Sequence, residues 1–466
     1  MIKSERFPKW MHIVFPAIAM MLGWGLRGHI GGGPFGAMIP GAMVALSIGM
    51  LLELPAWSIS ILVVFGVFGI GMGGEMTYGQ TLGILRDPET IWWGATGTTL
   101  KGAMWGLLGG AVLSLGFLFH KTSKKVFITA SLLIILGMFI GFKTINDSML
   151  IYFSDPENPR AESWAGLLLA AILLLVYLRI KISSPDFKLV IRFALFGMIG
   201  GALGFGLGSF WLVLGVYLPD AIFSSWWKAM EFSFGFLLGA FLGYASWLSR
   251  KEFLVQQIKE IKEITPVKFT VWKEMTVVLI TGLLIYWLIP NVMEWFANTV
   301  IVNNMAGGNI KEEIARLLVN YAFVGLLFII VLIRFPKAAW QIGITLTFCH
   351  TAIDLFRDFY NDINFWSPFT LHFFWVFLTT AIVAWGVASF SNKANSVRKL
   401  FLLLIWSCIL ISVLRMFVHP ENFNVKELTF CQIICGRFVV DLFFVVSAAF
   451  LTWFLFAKIK PKAELM

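Results

Sequence analysis

Apolar residues run along this chain in blocks of about 20, each long enough to cross a bilayer as one helix. Such blocks begin near Trp10, Pro34, Trp57, Ile91, Val126, Trp164, Leu189, Ile222, Met275, Ile314, Ala338, Pro368, Leu400 and Gln432. The pattern predicts an all-α integral membrane protein of about 14 transmembrane helices, with twelve as the alternative because polar residues interrupt several blocks.

Small residues add a second pattern inside the apolar one. Gly23-x-Gly25-x-x-Gly28 returns as Gly69-x-Gly71-x-x-Gly74. The blocks that follow also match, Gly36-Ala37-Met38 with Gly102-Ala103-Met104. A third copy pairs Gly204-x-Gly206 with a block whose Trp226-Trp227, Gly235, Gly239 and Gly243 echo Trp92-Trp93, Gly102, Gly106 and Gly110. The expected fold therefore contains three parallel Gly-rich helix-hairpin repeats, not inverted ones. Glycine at four-residue spacing lets helix backbones approach closely in lipid. The GxGxxG strings lie inside spanning helices with no strand before them, so close packing is expected there and not a dinucleotide.

Charge orients the blocks. With the N-terminus in the cytoplasm, positions 3–9, 121–125, 179–192, 250–273, 334–337, 393–399 and 458–462 face inward and hold 24 of the 36 Lys and Arg. That excess follows the positive-inside rule and puts both termini in the cytoplasm. The longest inward connection, 251–274, reads as an amphipathic cytoplasmic segment between a membrane domain at 1–250 (about eight helices) and another at 275–466 (about six). Acidic residues concentrate at the opposite, outer face. Only 13% of residues are charged and mean hydropathy is +0.83, which excludes a soluble protein. The net charge of +10 is accounted for by topology, so no nucleic acid is expected. Lys3, Arg6 and Lys9 precede an apolar run that continues past Ala17-Ile18-Ala19, so a retained first helix is expected over a cleaved signal. The expected partner is the lipid bilayer, and the expected location is the inner (plasma) membrane of a bacterium. Cys349, Cys408, Cys431 and Cys435 lack zinc spacing, and neither metal nor cofactor is expected.

Candidate chemistry lies toward the outer face. Arg27 and His29 flank the Gly31-Gly32-Gly33-Pro34 connection, a plausible anion site at a helix start. Glu75 takes the place of His29 in the second copy. Lys101 and Glu231 lie in the outer halves of equivalent helices, where an unpaired charge is costly, and are the expected ion pair. The densest cluster is His350, Asp354, Arg357 and Asp358. His350 and Asp354 share a helix face, as a proton relay or general base would need. Two function classes follow. A transporter or permease for a small polar, possibly anionic, solute would use Arg27, His29, Glu75, Lys101, Glu231, His350, Asp354, Arg357 and Asp358 as its pathway. A membrane-embedded transferase or hydrolase on a lipid-linked or sugar substrate would use His350 and Asp354 catalytically. A non-catalytic envelope scaffold is the third possibility, and the substrate itself is not legible.

Overall fold

The computed structural model describes residues 7–30, 33–76, 78–157, 160, 162–218, 225–260, 270–288, 321–349, 352, 368–391, 395–418 and 438–459. Among these the chain is helical, with no strand. Eight helices are long and apolar enough to cross a membrane, and shorter apolar helices cover Phe35–Leu51, Val324–Arg334 and Val376–Ser391.

The elements used below are α1 (Lys9–Ile30), α2 (Gly33–Leu51), α3 (Ala56–Met72), a short α4 (Gly79–Gly83), α5 (Ile91–Leu118), α6 (Lys124–Gly141), α7 (Trp164–Lys181), α8 (Ser184–Tyr217) and α9 (Trp226–Glu260). Further on come α10 (Val271–Leu283), α11 (Tyr321–Arg334), α12 (339–349), α13 (Pro368–Ser391), α14 (Ser396–Val418) and α15 (Val439–Ala457). Helix starts follow local chemistry: Ser183 caps α8 through the Asp186 amide, with Pro185 in the first turn.

Six helices close a ring: α1 packs on α2, α2 on α3, α3 on α5, α5 on α8, α8 on α9, and α9 back on α1. Glycine makes the tightest of these contacts. A Cβ on Gly102, Gly106 or Gly110 of α5 would overlap the carbonyl of Gly201, Gly197 or Phe193 of α8. In α9, Gly235, Gly239 and Gly243 lie in the same way against the carbonyls of Met20, Pro16 and His12 of α1. Each four-residue step forward on one helix is a four-residue step back on its partner, so both contacts are antiparallel zippers. Gly41 of α2 and Gly66 of α3 meet backbone to backbone as well. Without side chains between them, these helices gain dispersion contacts and close dipole alignment where lipid supplies no hydrophobic drive.

Outside the ring, α6 and α7 pair with each other and expose Leu132, Leu136, Ile172, Val176 and Ile180. Apolar side chains turned outward at this density fit acyl chains and not water. The C-terminal helices lean on the ring through Phe454 stacked on Phe15 at 5.0 Å and through Gly325 of α11 against Phe68.

Candidate anion-binding pocket

At one end of the ring, a cavity of about 500 Å³ is lined by the end of α1, the 73–80 connection, the 154–160 loop and the start of α9. Arg27, Glu75, Tyr78, Arg160, Lys228 and Glu231 are its ionisable lining residues.

Arg27 projects from the last turn of α1 and is only 3% exposed. Its guanidinium stands 5.5 to 5.6 Å from the ring centres of Trp24, Tyr78 and Trp105, an aromatic cage drawn from three parts of the chain. It donates to the Tyr78 hydroxyl and, at 3.4 Å, to the Gly33 carbonyl. Among the described residues no carboxylate comes within ion-pair distance of it. Burial holds the Tyr78 phenol above its ordinary pKa, against the opposing pull of Arg27, so the phenol supplies no negative charge.

The Arg27 cage is backed by packed rings. Trp24, Trp105 and Phe234 meet edge to face with centroids 4.4 to 5.5 Å apart, and Trp105 donates its indole N–H to the Ile70 carbonyl at 2.7 Å. Gly73 leaves the space that the Trp105 ring fills. Ser47, Ser60 and Ser114, buried in α2, α3 and α5, bond carbonyls of their own helices at 2.8, 2.7 and 2.6 Å.

The acids of the region are distributed differently from the sequence expectation. Glu231 pairs with Lys228 one turn away at 2.5 Å and accepts from the Trp227 indole at 3.1 Å, while Lys228 reaches the Gly25 carbonyl at 3.4 Å. Gly28 forms the notch for this pair, since a Cβ there would strike both head groups. Lys101 is therefore not the partner of Glu231. It bonds Glu162 at 2.7 Å and the Thr81 hydroxyl at 2.6 Å, and neither Lys101 nor Glu162 has any exposed side-chain surface. Glu162 also accepts from Ser154 at 2.7 Å, the Trp164 indole at 3.2 Å and the Phe153 amide at 3.3 Å. The expectation failed because orientation rules treat a connection as lying at the surface, whereas this one folds back and inserts its carboxylate into the bundle.

No protein family, curated protein or solved structure matches this chain. The pocket must be read from its own chemistry.

Of the residues singled out from sequence, Arg27, Glu75 and Glu231 share the cavity wall, and Lys101 sits behind it. Glu75 comes from a single helical turn, Gly73–Glu75, whose carbonyl end accepts from Ser163 at 2.7 Å. The backbone of His29 ends α1, but its side chain is outside the described residues, as are His350, Asp354, Arg357 and Asp358 altogether. Sequence reasoning missed Glu162 and Lys228. The Ser-Trp step after Glu162, which opens α7, was the available sign that this acid sits beside a helix start. Among the described residues no group of His, Cys, Asp and Glu side chains is placed to hold a metal ion. What the pocket can do chemically is bind an anionic group against a caged guanidinium, with hydroxyls, carboxylates and two further cations, Arg160 and Lys228, around the remainder.

Proposed function

We propose that this chain is a multi-pass membrane permease for a small polar solute bearing an anionic group, and that Arg27 is the counter-ion of that group. The observation that carries this reading is the burial of Arg27 with no carboxylate partner among the described residues. A cation so enclosed requires a counter-charge or an ordered dipole set, and the cavity is the direction left open to one. A carboxylate or phosphate matches the planar fork of a guanidinium in a way that a neutral solute does not. Tyr78 and Trp227, 6.1 Å apart and within 25° of parallel, offer a flat wall to the rest of the solute.

The charge bias along the sequence supports a pocket opening to the extracytoplasmic side of a bacterial inner membrane, with both termini inside. The helix-hairpin repeat reading is supported by the ring itself. In each of α1–α2, α3–α5 and α8–α9, the small-residue stripe of the second helix lies on the first helix of the next pair. That is the contact set of a pseudo-threefold arrangement. A count near 14 spans, and a division into 1–250 and 275–466, remain part of the same proposal.

The test is binding and flux with the purified full-length chain. Inorganic phosphate, acetate and lactate serve as probes, first by calorimetry in detergent and then by uptake into proteoliposomes. Loss of charge-assisted hydrogen bonds is worth ~1.5–3 kcal/mol. Arg27→Gln should therefore weaken binding of at least one probe by roughly 10- to 100-fold and abolish its uptake. Equal binding of every anion by both proteins would overturn the assignment.

A second reading is favoured by the buried, mutually packed rings of Trp24, Trp105 and Phe234 behind Arg27, which leave no described continuation of the cavity into the ring. Such a dead end suits a transferase or hydrolase that takes a lipid-linked or sugar substrate from one leaflet. Anion binding that depends on Arg27, with no flux across proteoliposomes for any bound probe, would select this alternative.

A further inference from the structure

The C-terminal helices contain a buried carboxyl that the Arg27 pocket does not use. Glu274 stands in the first turn of α10, is 4% exposed, and one of its oxygens, Oε1, has no hydrogen-bond partner among the described residues. The rest of the carboxyl lies against the side-chain amide of Gln341.

Gln341 is held in one orientation. Its Nε2 donates to the Ala384 carbonyl of α13 at 2.8 Å, and its Oε1 accepts from the Thr345 hydroxyl at 2.6 Å. Both residues belong to a π-helical stretch, Gln341–Thr345, inside α12. Widened turns of this kind are rare and recur at functional positions. The effect here is that the amide turns its remaining N–H toward Glu274, because its oxygen is already engaged. Met275 and Val278 of α10, Ile342 of α12 and Val387 of α13, on the elements that pack together here, are all buried.

Charge nearby is sparse. The elements packed on α10 are α12, α13 and the 336–338 turn. They carry one described charged side chain, the exposed Lys337, and one titratable thiol, Cys349; His372 also lies on α13, with its side chain outside the described residues. Lys273, beside Glu274 on α10, is exposed. Among the described residues no cation is within ion-pair distance of the carboxyl.

We propose that Glu274 is a reversible proton-binding site, distinct from the anion pocket. The carboxyl O–H bond breaks to give carboxylate and a proton, which passes to water at the end of the bundle marked by Lys273 and Lys337. The Gln341 N–H is the donor that receives the carboxylate. Oε1 is the atom that carries the proton in the neutral form, where a charge would be far more costly in apolar surroundings. A metal cation is a poorer occupant, because Gln341 presents a donor where a cation needs an oxygen. This inference rests on the geometry of α10, α12 and α13 and stands or falls independently of Arg27.

The experiment is infrared difference spectroscopy of the full-length chain in lipid nanodiscs across a pH step. Wild type should show a carboxylic C=O band that disappears as pH rises. Glu274→Gln should lack it, and Gln341→Leu should change the pH at which it disappears. Arg27→Gln should retain it unchanged, which separates this proposal from the previous one. Superimposable wild-type and Glu274→Gln spectra would overturn the proposal, as would a band that responds to added sodium and not to pH. Should Glu274→Gln fail to fold, Glu274→Asp keeps the acid and must shift the band, and an unshifted band also overturns it.

Discussion

Lys101 and Glu162 illustrate what one buried ion pair does to its surroundings. Each is without exposed surface, and together with Thr81, Ser154, Trp164 and the Phe153 amide they form a network that ties the 153–162 loop to α5. Removing one partner strands the other charge in low dielectric, at a cost of ~3–5 kcal/mol. Glu162→Gln is expected to lower the thermal midpoint sharply and to release the loop that contributes Ser154 and Arg160 to the pocket, read by unfolding monitored through tryptophan fluorescence. Lys101→Met combined with Glu162→Gln should recover part of that loss, because the stranded ammonium is gone. The amide oxygen still accepts from the Trp164 indole and the Phe153 amide, and the amide NH2 can donate to the Ser154 hydroxyl. A double variant no more stable than Glu162→Gln would mean that the charges themselves contribute little. That Lys101 needs a partner was legible from its place in an apolar block. Which acid serves was not, since the candidates lay on connections whose course no periodicity encodes.

Among elements, the α5–α8 zipper carries the sharpest steric demand. Gly106 and Gly197 each lie against the other's carbonyl oxygen, so even one added methyl must part the helices. Overpacking a well-packed contact costs ~1–3 kcal/mol for ordinary insertions, and here the obstacle is backbone, which cannot rotate away. Gly106→Val or Gly197→Val should give no monodisperse peak by fluorescence-detected size exclusion. Gly386→Ala, with nothing within 4 Å of the new Cβ, should elute as wild type. Equal behaviour of both would show that the zipper tolerates separation. The four-residue spacing of Gly102, Gly106 and Gly110 announced a packing stripe in the sequence. That the stripe meets α8, and not the α3 helix that precedes it in its own hairpin, came only from the fold.

For the whole molecule, the ring carries its pocket at one end, with the rings of Trp24, Trp105 and Phe234 packed behind Arg27. If basic connections face the cytoplasm, single cysteines introduced at Glu89 or Glu157, both exposed near the pocket end, will react with a membrane-impermeant maleimide in intact cells. A cysteine at Lys125, exposed at the opposite end, will react only after the cells are opened. The reverse pattern would move the pocket to the cytoplasmic face and with it the direction from which the solute is taken.

The sequence by itself determined that the chain is helical and membrane-embedded, where several of its described helices begin, and which stretches carry glycine. Those properties depend on residues within a turn or two of one another and on the length of apolar runs. Only the tertiary structure decided that Arg27 meets Tyr78, 51 residues away, and that Lys101 meets Glu162, 61 residues away. It also decided that no carboxylate among the described residues pairs with Arg27. Whether a buried charge is neutralised is a property of the space around it. That space is assembled from helices distant in the chain, whose mutual contacts no local pattern specifies.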